Sequence, residues 1–303
     1  VLEYNPIKKS SGVDVAKINI SILYEDSEII LVNKPSGVSV TADRSGAPDI
    51  RKLLAERTPS IAELRLVHRL DKDTSGALLL AKTLEAQSYY SRCFAMGEIR
   101  KVYLAIVRGN PGRDEGFITS PILKDDRVQK VKIDPRKGKK AKTFYKLLLP
   151  MGSVSLVAAA PITGRTHQIR VHFSNKGFPL VIDPLYGESS PLFLSSFKSR
   201  YSPSGKHEEL PLMDRLTLHA YQLTLPVGVD KTPQTIVAPL DKKFAATLRM
   251  LAKHTSESGK EVPEVANEIL DSKPLILNYT LIGISGENID QPTSPKPDDP
   301  DHN

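Results

Sequence analysis

One run constrains the chain more than any other: His68-Arg69-Leu70-Asp71-Lys72-Asp73-Thr74-Ser75-Gly76, followed at once by the apolar stretch Ala77–Ala81. A short apolar stretch bounded by turn residues reads as a buried strand. Thr74, Ser75 and Gly76 form a turn at its mouth, whose hydroxyls and N–H groups can fix the backbone locally. Just ahead of that turn stands an acid, Asp71, beside a His-Arg pair. Taken alone, an Arg-Leu-Asp triplet is ordinarily a surface turn with a local salt bridge. Two strongly basic groups beside one carboxylate and a tight glycine turn also fit an ionised Asp held for chemistry on a polyanion.

The neighbouring segments place this loop in an irregular alternation of strands and helices. Ile29–Val32, Ala77–Ala81, Val102–Val107, Thr143–Leu149 and Val154–Ala159 read as strands. Asp49–Glu56 and Thr83–Met96 read as helices, the second with Leu84, Ser88, Ser91 and Ala95 at helical spacing. Ile169–Phe173 fits either. Val262–Leu270 reads as a short helix and Leu275–Ile284 as a strand. The pattern predicts an α+β architecture around a mixed sheet. We expect one large unit over 21–250, a short extension before it and a second extension over 251–290. The Pro-rich acidic stretch 291–303 has no apolar periodicity and is expected to be disordered.

Charge divides the chain. The net charge is +7, but residues 251–303 carry four Lys against ten Asp or Glu, which leaves +13 on the first 250 residues. That excess fits nucleic-acid binding, although many proteins have one without any nucleic-acid partner. Residues 124–142 alone hold nine Lys or Arg against three Asp. The single cysteine, Cys93, excludes a disulfide framework and a Cys-rich zinc site, and fits a reducing compartment. No apolar run is long enough to span a membrane. We expect a cytoplasmic monomer.

Three further blocks accompany the first. They are Asn33-Lys34-Pro35-Ser36-Gly37 after an apolar strand, Lys101-Val102-Tyr103-Leu104-Ala105, and Gly164-Arg165-Thr166-His167-Gln168-Ile169-Arg170-Val171-His172. Fainter echoes follow at Asp183-Pro184-Leu185-Tyr186-Gly187 and Arg215-Leu216-Thr217-Leu218-His219-Ala220. In sequence and in order, the blocks resemble the RluA-type family of RNA pseudouridine synthases over roughly residues 20–250, matching its HRLDxxTSG, NKPxG, KxYxA and GRTHQIRVH motifs. Departures fall at Thr41-Ala42, where the family often has His-Pro, and at Gly177-Phe178-Pro179, where it has Gly-His-Pro. Ile182 stands where a Gly is usual. None of these removes a residue assigned to chemistry.

The resemblance implies a pseudouridine synthase fold, a mixed and mainly antiparallel sheet with the active-site cleft across it. It also implies a reaction: the bond from uracil N1 to ribose breaks, the base turns, and it rejoins through carbon 5. This needs no redox change, metal or phosphate donor, so we expect no cofactor. A carboxylate in a dry pocket needs an opposing cation to stay charged. The resemblance assigns catalysis to Asp71, pairs it with Arg170, and places Tyr103 against the uracil. Arg69 is expected to fill the space left by a flipped uridine, with Arg165 and Gln168 near the RNA or the active-site wall. Lys139 and Lys140, in a Gly138-Lys-Lys-Ala-Lys-Thr stretch entering a strand, are expected to contact phosphates. His167 and His172 lack the glutamate and third ligand of a zinc site and are expected to orient the motif instead. In the first 20 residues we expect an extension without the small RNA-binding module that many relatives carry. The segment 188–212 reads as an inserted loop. The expected activity is isomerisation of specific uridines in ribosomal or transfer RNA. A non-catalytic RNA-binding protein on the same fold is the alternative, but it would be expected to have lost one of Asp71, Tyr103 and Arg170.

Overall fold

The computed structural model describes residues 18, 20–41, 49–57, 63–125, 130–198, 209–226, 233–255 and 261–279. The expected disordered stretch 291–303, most of the first extension and residues 199–208 of the inserted loop lie outside them.

The chain opens with β1 (Ser21–Glu25) and β2 (Ile29–Lys34), antiparallel neighbours. Asp26 closes their turn, accepting the N–H groups of Glu28 and Ile29 at 2.8 Å each. Helix α1 (Ile50–Arg57), the short β3 (Arg65–Leu66) and β4 (Ser75–Ala81) follow. Helix α2 (Leu84–Met96) starts where Thr83 Oγ1 accepts the Ala86 N–H. It stops at Gly97, whose φ of 74° a side chain would resist. Then come β5 (Arg100–Arg108), β6 (Glu115–Ile118), a hairpin of β7 (Ile122–Lys124) and β8 (Val131–Ile133), β9 (Thr143–Met151) and β10 (Val154–Pro161). Helix α3 (Gln168–Asn175), β11 (Leu218–Thr224), β12 (Thr235–Val237), α4 (Lys242–Thr255) and α5 (Glu264–Leu270) complete the described chain.

Eight strands form one sheet in the order β1-β2-β4-β11-β5-β10-β9-β6, with β12 added to β11 and β3 to β4. All pairs are antiparallel except β4 with β11. The fold is thus α+β on a mixed, mainly antiparallel sheet, as expected. Central strands read as continuous apolar runs because both faces are covered. Along β5, Leu104 and Ile106 pack with Phe244, Leu248 and Leu251 of α4 and with Ala266 and Ile269 of α5. Ala105 and Val107 turn the other way, toward Ile169 and Phe173 of α3. On β2 and β4 the same alternation sends Val32 and Leu78 to α1, and Leu31 and Leu79 to α2. Tyr103 packs against both the α1 and the α3 clusters, so those two helices share a face and the tyrosine stands between them.

The ambiguous Ile169–Phe173 lies in a helix, whose eight residues stand early in the long β10–β11 connection. Residues 275–279 of the expected strand Leu275–Ile284 form no strand, and the remainder lies outside the described residues. Helix α4 runs through residue 250, and α5 packs into the same cluster as α4. Cys93 is buried as a free thiol in the α2 cluster.

Candidate active site

Asp71 lies in the loop between β3 and β4, at the edge of the face shared by α1 and α3. Its own carbonyl accepts the Thr74 N–H at 3.1 Å, so the turn spans Asp71–Thr74 rather than the expected Thr74-Ser75-Gly76, whose last two residues already belong to β4. Thr74 and Ser75 are buried, so the end of the turn is part of the core. Gly76 then enters β4 with a φ of 111°, and a Cβ there would lie 2.2 Å from the Ala220 carbonyl oxygen. Only glycine lets β4 and β11 approach this closely directly behind the Asp71 loop.

Two anchors hold the loop from the sides. Lys34 is fully buried, and its Nζ donates to the carbonyls of Pro35 at 3.0 Å, Val38 at 2.8 Å and Lys72 at 3.0 Å. Burial pushes its pKa down to about 7, against the pull of Asp73 and Asp71. The Gly37 N–H and the Ser36 hydroxyl add bonds to the carbonyls of Lys72 and Asp73. The Asn-Lys-Pro-Ser-Gly block is therefore a clamp on the Asp71 loop. His219 is the second anchor. Its Nε2–H donates to the Ala238 carbonyl at 2.9 Å, and its Nδ1 accepts the Ser75 hydroxyl at 2.9 Å. Burial lowers its pKa to about 4, so the ring is neutral. His68 is likewise structural: it stacks on Phe94 and accepts the Leu79 N–H at 3.0 Å.

Two side chains of the α3 motif face the Asp71 carboxylate. Arg170 Nη1 and His167 Nε2 lie 3.8 Å and 3.7 Å from Asp71 Oδ2. Arg170 was expected to pair with Asp71, and it does face it, but the structure adds a second and closer partner. Its Nε and Nη2 grip the fully buried Asp183 at 2.8 and 2.7 Å, and only the third nitrogen faces Asp71. Asp183 Oδ1 also accepts the N–H groups of Leu185 and Tyr186 at 3.0 and 3.2 Å. The Asp-Pro-Leu-Tyr-Gly echo is thus an Asx-type turn that aims the guanidinium. Its Asp-Pro start was the available signal for that role. Ile182, just before Asp183, has a φ of 58°, a conformation that a β-branched residue adopts only under strain and that a Gly would accept freely.

His167 also has a left-handed backbone, φ 50°, at the start of α3. Such conformations persist where the surroundings over-determine them, often at functional sites. Burial lowers its pKa below the ordinary imidazole value, although Asp71 pulls the other way. Tyr103 reaches the site from β5, flanked in the ladder by Ala159 and Ala220, whose small side chains leave its ring room. Burial, and then the charge of Asp71, push its phenol pKa up.

The residues expected to meet RNA divide. Arg69, Lys139 and Lys140 are exposed. The backbones of Lys139 and Ile122 pair with each other at 2.8 and 2.9 Å, which ties the basic segment to the β7–β8 hairpin. Arg165 is partly buried, with Nε on the Lys140 carbonyl at 3.1 Å. Gln168 corrects its expectation: it is 4% exposed and uses its whole amide internally. Its Oε1 accepts from Thr163 and Arg165, and its Nε2 donates to Lys142 and Thr143. It splints the motif loop to β9. His172 sits between Thr143 and the Ser120 carbonyl, away from His167. Among the described residues no group of three or more His, Cys, Asp or Glu could hold a metal ion. No helix among them is long and apolar enough to cross a membrane.

Known proteins align with this arrangement. A family model described as RNA pseudouridylate synthase matches residues 28–175, from β2 to the end of α3. An uncharacterized RNA pseudouridine synthase of Zymomonas mobilis is 38% identical over 233 residues, covering 74% of this chain and 94% of its own. Ribosomal large subunit pseudouridine synthase D of Borreliella burgdorferi is 34% identical, covering 80% of this chain and 72% of its own. Among solved structures, human RNA pseudouridylate synthase domain containing 1 superposes with a TM-score of 0.56 at 31% identity, over 73% of this chain and 84% of its own. With the four motifs gathered on one sheet face and relatives matched across most of their length, this chain belongs to the RNA pseudouridine synthase family and is an isomerase acting on RNA.

Proposed function

We propose that Asp71 is the carboxylate through which this enzyme isomerises specific uridines in ribosomal or transfer RNA, acting as a cytoplasmic monomer without metal or cofactor. One observation carries the assignment: Asp71, Arg170 and His167, from motifs almost a hundred residues apart, meet within 3.8 Å at a carboxylate only 18% exposed. A cation and an imidazole facing one carboxylate oxygen make a setting suited to nucleophilic or basic chemistry. Tyr103 offers a ring for the detached uracil to stack on and a hydroxyl for the carbon 5 proton. The ribosomal part of the reading draws on relatives named as large subunit synthases C and D. Exposed Arg69, Lys139 and Lys140 are assigned to the RNA backbone and to the space the flipped base vacates.

The rearrangement releases the hydrogen at uracil carbon 5, so RNA transcribed with tritiated uridine at that carbon reports turnover directly. Tritium release that persists after exhaustive chelation, with the sites mapped as pseudouridine in ribosomal or transfer RNA, supports the proposal. Release that vanishes with EDTA and returns with zinc overturns its metal-free part.

A further inference from the structure

Tyr186 is not required by the catalytic set, yet four separate interactions converge on it. Its Oη accepts the N–H of Val131 at 2.8 Å, from the first residue of β8 in the basic hairpin. The same Oη lies 3.0 Å from His167 Nδ1. The Lys130 ammonium and the Arg170 guanidinium each lie 5.3 Å from the ring centroid, a cation–π distance. Beneath it the hairpin is seated on α3 through Ile122, Val131 and Val171.

These contacts bear on where a proton sits. A phenol oxygen has one hydrogen to give. Val131 already donates to it, and among the described residues His167 Nδ1 is the remaining hydrogen-bonding group that it meets. With the Val131 N–H directed at the oxygen, the phenol's own hydrogen is free to point at Nδ1, the arrangement in which that nitrogen accepts. A neutral imidazole that accepts at Nδ1 carries its proton on Nε2, because the bond made by one ring nitrogen fixes the state of the other. Nε2 is the atom that faces Asp71 Oδ2 at 3.7 Å. The carboxylate favours the same tautomer from the other side.

We propose that Tyr186 is a positioning residue that fixes the Nε2–H tautomer of His167, so that a donor faces the Asp71 carboxylate, and that the Val131 N–H ties this setting to the seating of the basic hairpin. Lys139 and Lys140, assigned to RNA phosphates, are tied to this hairpin through the Ile122–Lys139 backbone pair, so binding of RNA and the proton arrangement at Asp71 are linked through one hydroxyl. At 3.7 Å the Nε2–H···Oδ2 contact is too long for a hydrogen bond, and such contacts commonly tighten when substrate closes the site. The inference rests on Asp71 being the catalytic carboxylate, but its first test does not require turnover.

The full chain, labelled with nitrogen-15 at its seven histidines, is examined by long-range proton–nitrogen correlation near pH 8, about 1.5 units above an unperturbed imidazole. His167 is assigned by its loss in His167→Gln. The expected spectrum shows a protonated Nε2 and a bare Nδ1. In Tyr186→Phe, which keeps the ring between its two cations, the Nδ1–H form should grow. Its single-turnover rate at saturating RNA should fall by about tenfold or more, with RNA affinity within about threefold. A wild-type His167 protonated at Nδ1 overturns the proposal, and so does a Tyr186→Phe enzyme with unchanged tautomer and rate. The wild-type spectrum decides even if Tyr186→Phe fails to fold. Failure here leaves Asp71 in place, whereas a wrong Asp71 assignment appears separately as turnover in Asp71→Asn.

Discussion

At the scale of single residues, the site depends on charges buried in pairs. Arg170 is 5% exposed, and its main partner Asp183 is fully buried. Arg170→Met would strand the Asp183 carboxylate, and breaking a buried pair in this way costs about 3–5 kcal/mol. We therefore expect Arg170→Met to lower folding stability by about that amount in urea titrations, as well as to abolish turnover. Stability within about 1 kcal/mol of wild type would show that the Asp183 grip is weaker than its geometry. Loss of activity in this variant does not by itself report on Asp71. The sequence made Asp71, Tyr103 and Arg170 legible, because each stands inside a dense motif. It hid the destination of the Arg170 fork, since a guanidinium has five donors and the motif does not say which carboxylate each one meets. Gln168 was misread for a related reason: its spacing from Arg165 does not reveal that the motif loop folds back on β9.

At the scale of elements, the parallel seam between β4 and β11 carries the site. Gly76 permits the close approach, and His219 pins the start of β4 through Ser75 while holding Ala238 on its other side. Burial depresses the His219 pKa to about 4 and that of His68 to about 3. Their unfolded values lie near 6.5, so below that pH the unfolded chain takes up protons that the folded chain refuses. The stabilisation is complete above about pH 6.5 and is lost as the pH falls through the window toward about 4. For His219 the loss reaches about 3 kcal/mol at most. Urea titrations between pH 6.5 and 5, above most carboxylate titration, should show falling stability. The slope should flatten in His219→Gln. An unchanged slope in that variant would mean the ring is not the group that titrates. Five of the twelve described strands, β2, β4, β5, β9 and β10, could be read from their apolar runs, and α1 and α2 were read as helices, whereas the shorter strands and β11 were not read. Helix α3 could not be separated from a strand, because five apolar-rich residues fit both periods and only the cover over β10 decides. The β4–β11 pairing was invisible as well, since it joins segments more than a hundred residues apart through a missing side chain.

At the scale of the whole molecule, a chain with a net charge of +7 acts on a polyanion. Lys139 and Lys140 are exposed beside the hairpin. Replacing both by Ala should weaken RNA binding and flatten its salt dependence by at most about two log units per log unit of salt. Turnover at saturating RNA should stay near wild type. A lower saturated rate with an unchanged salt slope would place the pair in the chemistry rather than on phosphates. The account as a whole turns on one carboxylate. The most direct measurement is single-turnover tritium release from RNA labelled at uracil carbon 5, with Asp71→Asn at saturating concentration and its RNA affinity measured alongside. The account predicts no release above background, with affinity within about tenfold of wild type, or about 1.4 kcal/mol. Release at the wild-type rate by the purified Asn variant would contradict it.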